Sequence, residues 1–375
     1  MLPTEYRMTV PEDKADVIDF ANLVFSQAHQ PHDFSTLLPK VYGPDAERLA
    51  EHFIATQNGK IRGCVGLYKE DYKLGDSMLK LGFVGTVSVH KYSRGEGHMQ
   101  KLMTMMNDWS DKNGFDLLAL GGLRQRYAYF GFEPCGMMYE FTVTSDNVRH
   151  ALKEVDDSGI TFEPMTEENP AGVDFAWKLS QTQPACAIRP RSSFVRIMHS
   201  WNCGCDLIRK DGELVGYNME NGRELVLTDD SLLYPVIKAY SRIRNGRSMS
   251  FKVLPQETYR MKMLSEIAET FIVKHAEQIR VIRWVPVLNA CLKLKAQNTV
   301  LEDGEVTVGI DGKNYTVTVE NGIPDVRISD KTPDLERTGN QAERLFFGLE
   351  NLANLNPLLK NWIPLPFTIK SPDLF

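Results

Sequence analysis

The residues with the most chemical content lie together in Val87-Ser-Val-His-Lys-Tyr-Ser-Arg-Gly-Glu-Gly-His-Met99. An apolar stretch that reads as a strand ends there, and a helical pattern opens after it. Gly95 and Gly97 permit a tight turn and let backbone amides come close to a bound group. The helix start supplies unpaired N–H groups and the positive end of its dipole. That combination suits a pyrophosphate. A glycine pair at a strand-to-helix turn is also an ordinary connection, so the weight of this loop depends on the elements around it.

Those elements alternate. Asp16 to His29 carries Val17, Ile18, Phe20, Ala21, Val24 and Phe25, which places one apolar face on a helix. Ile61 to Tyr68 and Leu79 to Val89 read as strands. Met99, Leu102, Met103, Met106 and Trp109 recur at helical spacing, with Gly114 as the closing residue. Phe115 to Leu120 is a further apolar run, stopped by Gly121 and Gly122. Strand, glycine-bearing loop, helix and strand make a βαβ signature, so this part is α/β. Polar residues from Ser145 to Asp157 mark a first boundary. Beyond it, Lys210-Asp-Gly-Glu and Asp311-Gly312 sit between apolar runs and predict two hairpins, Gly204 to Tyr217 and Val306 to Val319. Helices are expected over Ser231 to Ser241, Met261 to Gln278, Leu288 to Lys295, Asn340 to Phe347 and Glu350 to Leu359.

Composition narrows the function classes. A chain of 375 residues predicts two or three domains. With 42% hydrophobic and 25% charged residues it is ordinary globular material, which excludes disorder or a coiled coil as a global description. A net charge of −6 offers no positive field for a phosphodiester backbone, so nucleic acid is not expected as a partner. Six scattered cysteines fit reduced thiols rather than a disulfide scaffold. Met1-Leu-Pro-Thr-Glu-Tyr-Arg has no apolar core of a signal peptide, and no run is long enough to span a membrane, so a soluble cytoplasmic protein is expected.

The loop resembles the acyl-CoA loop of GNAT acetyltransferases, whose pattern is Arg or Gln, two residues, Gly, one residue, then Gly or Ala. Arg94, Gly97 and Met99 fall on those positions, Met99 departing from the usual small residue. Downstream, Leu118-Ala-Leu-Gly-Gly-Leu-Arg-Gln-Arg-Tyr-Ala-Tyr-Phe-Gly-Phe resembles the fifth strand of that fold and the short helix after it. Gln341-Ala-Glu-Arg-Leu-Phe-Phe-Gly and a last residue Phe375 are similar to the enhanced intracellular survival (Eis) branch. That branch implies an α/β (α+β mixed) architecture in three parts: a GNAT domain over 1–147, a degenerate GNAT-like domain over 148–280 and a sterol-carrier-protein-like domain over 281–375. The middle part has no Arg-x-x-Gly-x-Gly pattern and is expected to be structural.

The resemblance implies an acetyl-CoA-dependent N-acetyltransferase acting on a primary amine of a small molecule or lysine side chain, with acetyl-CoA as cosubstrate. Such a reaction needs donors to polarise the thioester oxygen and an acid for the departing thiolate. Val87 and Val89 would supply backbone groups to the acetyl and pantetheine portions, and Arg94, Gly95, Gly97, His98 and Met99 would surround the pyrophosphate. Tyr127 occupies the acid position, with Tyr129 as the competitor. A phenol of pKa about 10 is protonated at pH 7 and can donate. The terminal carboxylate of Phe375 would be the base, held by a docked apolar tail of Trp362, Ile363, Leu365, Phe367, Ile369 and Leu374. A homo-oligomer, hexameric in resembling proteins, is implied. The rival reading is a non-catalytic protein on the same fold, sensing CoA or binding an apolar ligand; an intact Tyr127 and Phe375 favour catalysis.

Lesser signals have plainer readings. His199, Cys203 and Cys205 lack a second cysteine pair at zinc spacing and read as buried structural groups, so no metal is expected. Lys238, Arg242, Arg244 and Arg247 read as a solvated basic face. His29, His32 and Asp33 read as a polar loop that would border the acceptor mouth.

Overall fold

The computed structural model describes residues 3–28, 30–43, 52–348 and 356–375. Its first part runs β1 (Glu5–Met8), α1 (Lys14–Ala28), α2 (Phe34–Leu37), α3 (Pro39–Tyr42), β2 (His52–Gln57), β3 (Lys60–Leu74), β4 (Ser77–Val89), α4 (His98–Lys112), β5 (Leu117–Leu120), α5 (Arg124–Tyr127) and β6 (Glu133–Cys135). The sheet order is β1-β2-β3-β4-β5, then Glu277–Val281, then β6, with Ala185–Ala187 added beside β3. All pairings are antiparallel except β4 with β5, the pair joined through α4.

The apolar runs follow from burial on both faces. In β5, Leu117 and Ala119 enter one core while Leu118 and Leu120 enter another, as the alternation of a strand requires. The second core holds Leu102, Met103 and Met106 of α4. The first holds α1 and extends into the C-terminal region, through Val287 and Leu288 of the helix Trp284–Ala296 to Val306, Val317 and Phe346. The described residues thus form a mixed α/β protein with four sheets. No helix among them is long and apolar enough to cross a membrane.

Later elements sharpen or correct the sequence reading. Both Asp-Gly turns form: Asp211 and Gly212, and Asp311 and Gly312, all have positive φ between paired strands. The helix expected over Met261 to Gln278 is wrong beyond its first half. Thr258–Ile267 is helical, Ala268 turns extended, and Thr270–Lys274 and Glu277–Val281 are strands. Phe271, Ile272 and Val273 favour a strand, but that strand is exposed throughout and shows no apolar period. Ser145–Ala151 is a helix inside the expected break, started by a Thr144–Asn147 capping box. The strand before it, Met138–Val143, pairs with Met249–Val253 and Thr270–Lys274 rather than with the first sheet. The helix read over Glu350 to Leu359 lies largely outside the described residues, as does His29; Pro357–Trp362 is helical.

Candidate active site

The parallel pairing of β4 and β5 runs from Leu81 opposite Leu117 to Phe83 opposite Ala119 and then stops. β4 continues to Val89 with its edge on that side unpaired among the described residues, so its amides and carbonyls face the space that opens there. Opposite β3, Gly85 pairs with Gly66 and Ser88 with Cys64, leaving one extra residue in β4. This bulge includes Thr86 at φ 53, a left-handed conformation uncommon for a β-branched residue. The hydroxyl of Thr86 lies 2.6 Å from that of Tyr42 and 2.5 Å from that of Tyr68, and Tyr42 reaches His52 Nε2 at 2.8 Å. Burial pushes the Tyr42 and Tyr68 phenols up, which keeps both phenols protonated.

A cavity of about 1100 Å³ fills the splay. Its lining contains Val87, Val89, Arg94, Gly95, Gly97, His98, Met99, Tyr127 and Phe375. At one end stands the loop before α4. Gly95 has φ 84 and Gly97 φ 80, and a Cβ built on either would meet nothing within 4 Å. Gly97 caps α4 without a side-chain hydrogen bond, so the first amides of the helix remain available to an anion. Arg94 is exposed and makes no ion pair among the described residues. The side chain of His98 turns inward instead, with Nδ1 2.9 Å from Tyr6 Oη and Nε2 3.2 Å from Glu96. It anchors the loop to the sheet and leaves only its backbone for a ligand.

Tyr127 ends α5 and is 6% exposed, whereas Tyr129 is 89% exposed and points away. A Cβ at Gly122 would lie 2.5 Å from Tyr127 Cε2, so only glycine there admits the ring. Burial raises the Tyr127 pKa, with Arg126 opposing, and the phenol is protonated at neutral pH.

The tail reaches the cavity from the far end of the chain. The Phe375 ring stacks on Tyr68 at 4.7 Å and tilts against Phe83 at 5.3 Å. Buried Lys40 sits 3.8 Å over the same ring and donates to the carbonyls of Pro372 (2.9 Å) and Leu374 (2.5 Å). Two residues back, Asp373 is buried and takes Arg189 Nε at 2.7 Å; Arg189 also forks onto Glu224 at 2.6 and 2.8 Å. Tyr217 donates to Glu224 at 2.6 Å. Arg189 holds the Glu224 carboxyl well below its ordinary value although burial opposes this, so that carboxyl is ionised.

Residues 5–135 match the family model described as "Acetyltransferase (GNAT) domain". That match covers about a third of the chain and is what this part of it is similar to. The chain thus carries a part similar to an acetyltransferase domain, and acetyl-CoA is the cosubstrate of the GNAT class. The whole chain is also similar in fold to solved structures at low identity. A probable N-acyltransferase from Enterococcus faecalis V583 superposes with TM-score 0.70 at 14% identity, covering 100% of both chains. A GCN5-related N-acetyltransferase from Anabaena variabilis ATCC 29413 gives 0.71 at 13%, again with 100% of both chains. Eis1 from Mycobacterium abscessus gives 0.69 at 12%, with the same coverage. No curated protein matches the sequence.

Other signals resolve locally. Each ring nitrogen of His199 lies 2.9 Å from a backbone carbonyl, and all six cysteines are buried thiols. No group of metal-ligating side chains occurs among the described residues. Lys238 donates to the carbonyls of Lys153 and Val155, and Arg242 pairs with Asp157. His32 packs against Phe25 and Phe34, and Asp33 caps α2. Sequence reasoning missed Lys40, the Arg189 cluster and Trp201. Two buried-type acids and an arginine separated by 35 and 184 residues give no local pattern from which to join them.

Proposed function

We propose that the protein transfers the acetyl group of acetyl-CoA to a primary amine by direct attack. The observation that carries this is one cavity shared by the glycine loop, Tyr127 and Phe375. The loop amides and Arg94 would take the pyrophosphate, and the unpaired edge of β4 at Val87 and Val89 would bind the pantetheine and polarise the thioester oxygen. The amine nitrogen forms its bond to the carbonyl carbon, the C–S bond breaks, and Tyr127 gives its proton to the thiolate. A free α-carboxyl titrates near 3.5 and is a weak base by itself. The Phe375 carboxylate therefore serves by orienting the ammonium and passing its proton on through water. Supporting this role are the stacking on Tyr68 and the hold of Lys40, which keep the last residue in the cavity.

The three-part division into 1–147, 148–280 and 281–375, a sterol-carrier-like terminal part, a cytoplasmic location and homo-oligomeric assembly belong to the same reading; a separate four-stranded sheet in the terminal region supports the last part, while Met138–Val143 and Glu277–Val281 pair across the two boundaries. The test is thiol release from acetyl-CoA against a panel of amines, with the native terminus beside Tyr127→Phe and a variant extended beyond Phe375. Loss of kcat in both variants with CoA binding retained supports the assignments. CoA binding with no transfer to any amine would move the protein to a CoA-sensing role.

A further inference from the structure

The two ends of the cavity differ in charge, and the difference points to a class of acceptor. Away from the loop the walls are Phe25, Phe34 and Leu38 from the α1–α2 region, Phe83 of β4, Trp201 and Phe375. Among the described residues lining the cavity there is no aspartate or glutamate; Arg94, Arg126 and His98 are the ionisable nitrogen bases, and Lys40 stands buried behind the Phe375 ring. A polycation in this cavity would share the lining with Arg126 and find no side-chain carboxylate among the described lining residues to balance its further charges. Like charges brought together away from water are strongly unfavourable.

An apolar body gains what a polycation loses. Phe25 and Phe34 meet edge to face at 5.0 Å, and Trp201 meets Phe34 edge to face at 6.2 Å, forming a continuous aromatic wall. Such faces bury apolar surface and attract a single ammonium. Trp201 is the unusual member. It comes from the central region, has φ 60 beside Asn202 at φ 55, and is 40% exposed. Bulky residues rarely hold a left-handed backbone, and strain of this kind is kept where the surroundings fix a residue for a purpose. Here it brings a large ring across to the wall of a site built mainly by the first 135 residues.

We infer that the acceptor is a monoamine carried on an apolar, aromatic-sized body, and that Trp201 determines this specificity. The inference rests on the acetyl-transfer reading and deepens it. Thiol release at saturating acetyl-CoA is measured with phenethylamine and tryptamine against spermidine and kanamycin, for the wild type, Trp201→Ala and Trp201→Phe. The arylalkylamines are expected to show kcat/KM about a hundredfold above the polycations. Trp201→Ala is expected to raise their KM about tenfold or more, as loss of an aromatic anchor does, with the KM for acetyl-CoA held and with recovery in Trp201→Phe. Spermidine or kanamycin turning over as well as the arylalkylamines overturns the inference and leaves acetyl transfer standing. Equal KM values in Trp201→Ala and wild type overturn the role of Trp201. Absence of thiol release with every amine, while CoA binds by calorimetry, overturns the transfer reading itself.

Discussion

The two halves of the cavity are built in opposite ways. The half proposed to hold the cosubstrate is nearly one contiguous stretch, Val84 to Gln100, in which a strand end, two glycines and a helix start follow one another in the chain. The half proposed to take the acceptor is assembled from the α1–α2 region, Tyr68, Phe83, Trp201 and Phe375, the last two each more than a hundred residues along the chain from the others. A contiguous half is held by local backbone geometry. An assembled half needs outside anchors: Lys40 over Phe375, and the Arg189 cluster that joins Asp373 of the tail to Glu224 of the central sheet. The halves should accordingly fail in different ways.

The largest effect is expected between them. Tyr127→Phe should lower kcat by about 10²- to 10⁴-fold, the range for loss of a positioned acid, with the dissociation constant for CoA unchanged. An unaltered kcat would make Tyr127 a packing residue and leave the halves without a common acid.

Next comes the anchor of the assembled half. Arg189→Met leaves two buried carboxylates without their cation, and breaking a buried pair costs about 3–5 kcal/mol. Urea unfolding should show this loss. In protein that remains folded, the KM for the amine should rise while CoA binding holds; an equal weakening of both would erase the distinction between the halves.

A smaller effect lies behind Gly121, where Glu277 Oε2 would be 3.5 Å from a Cβ at that lining glycine. Burial, opposed by Lys252, pushes the Glu277 carboxyl up to about 7. Because the folded value exceeds the unfolded one, its contribution is fully present below about pH 4.5 and is lost as pH rises through 7. At about 1.4 kcal/mol per unit, wild-type stability should fall by roughly 3 kcal/mol relative to Glu277→Gln across that window. Parallel stability curves for the two proteins would refute the shifted titration.

The smallest effect tests the contiguous half. Gly97 at φ 80 would hold a β-branched residue with about 1–2 kcal/mol of strain. Gly97→Val should therefore raise the KM for acetyl-CoA about tenfold and leave that for the amine in place.

Legibility followed the same division. The helix α4, the strands around it and the glycine loop were readable because apolar period, caps and turn residues are all local signals. The exposed strand Thr270–Lys274 falls inside the expected helix because it has no buried face and so does not alternate, and that helix was also carried into the first two residues of Glu277–Val281. The choice between Tyr127 and Tyr129, two residues apart, needed coordinates: one ring fits under Gly122 and the other lies in solvent.

The sequence by itself determined the α/β class, the two Asp-Gly hairpins and the loop whose glycines and following helix start suit a pyrophosphate, because each depends on residues within a few positions of one another. Only the tertiary structure decided that Glu277–Val281 enters the first sheet, that Trp201 reaches the cavity wall, and that Arg189 ties Asp373 to Glu224. Those outcomes depend on which distant surfaces exclude water together. Burial on that scale is a property of the assembled cores, and no short stretch of chain records it.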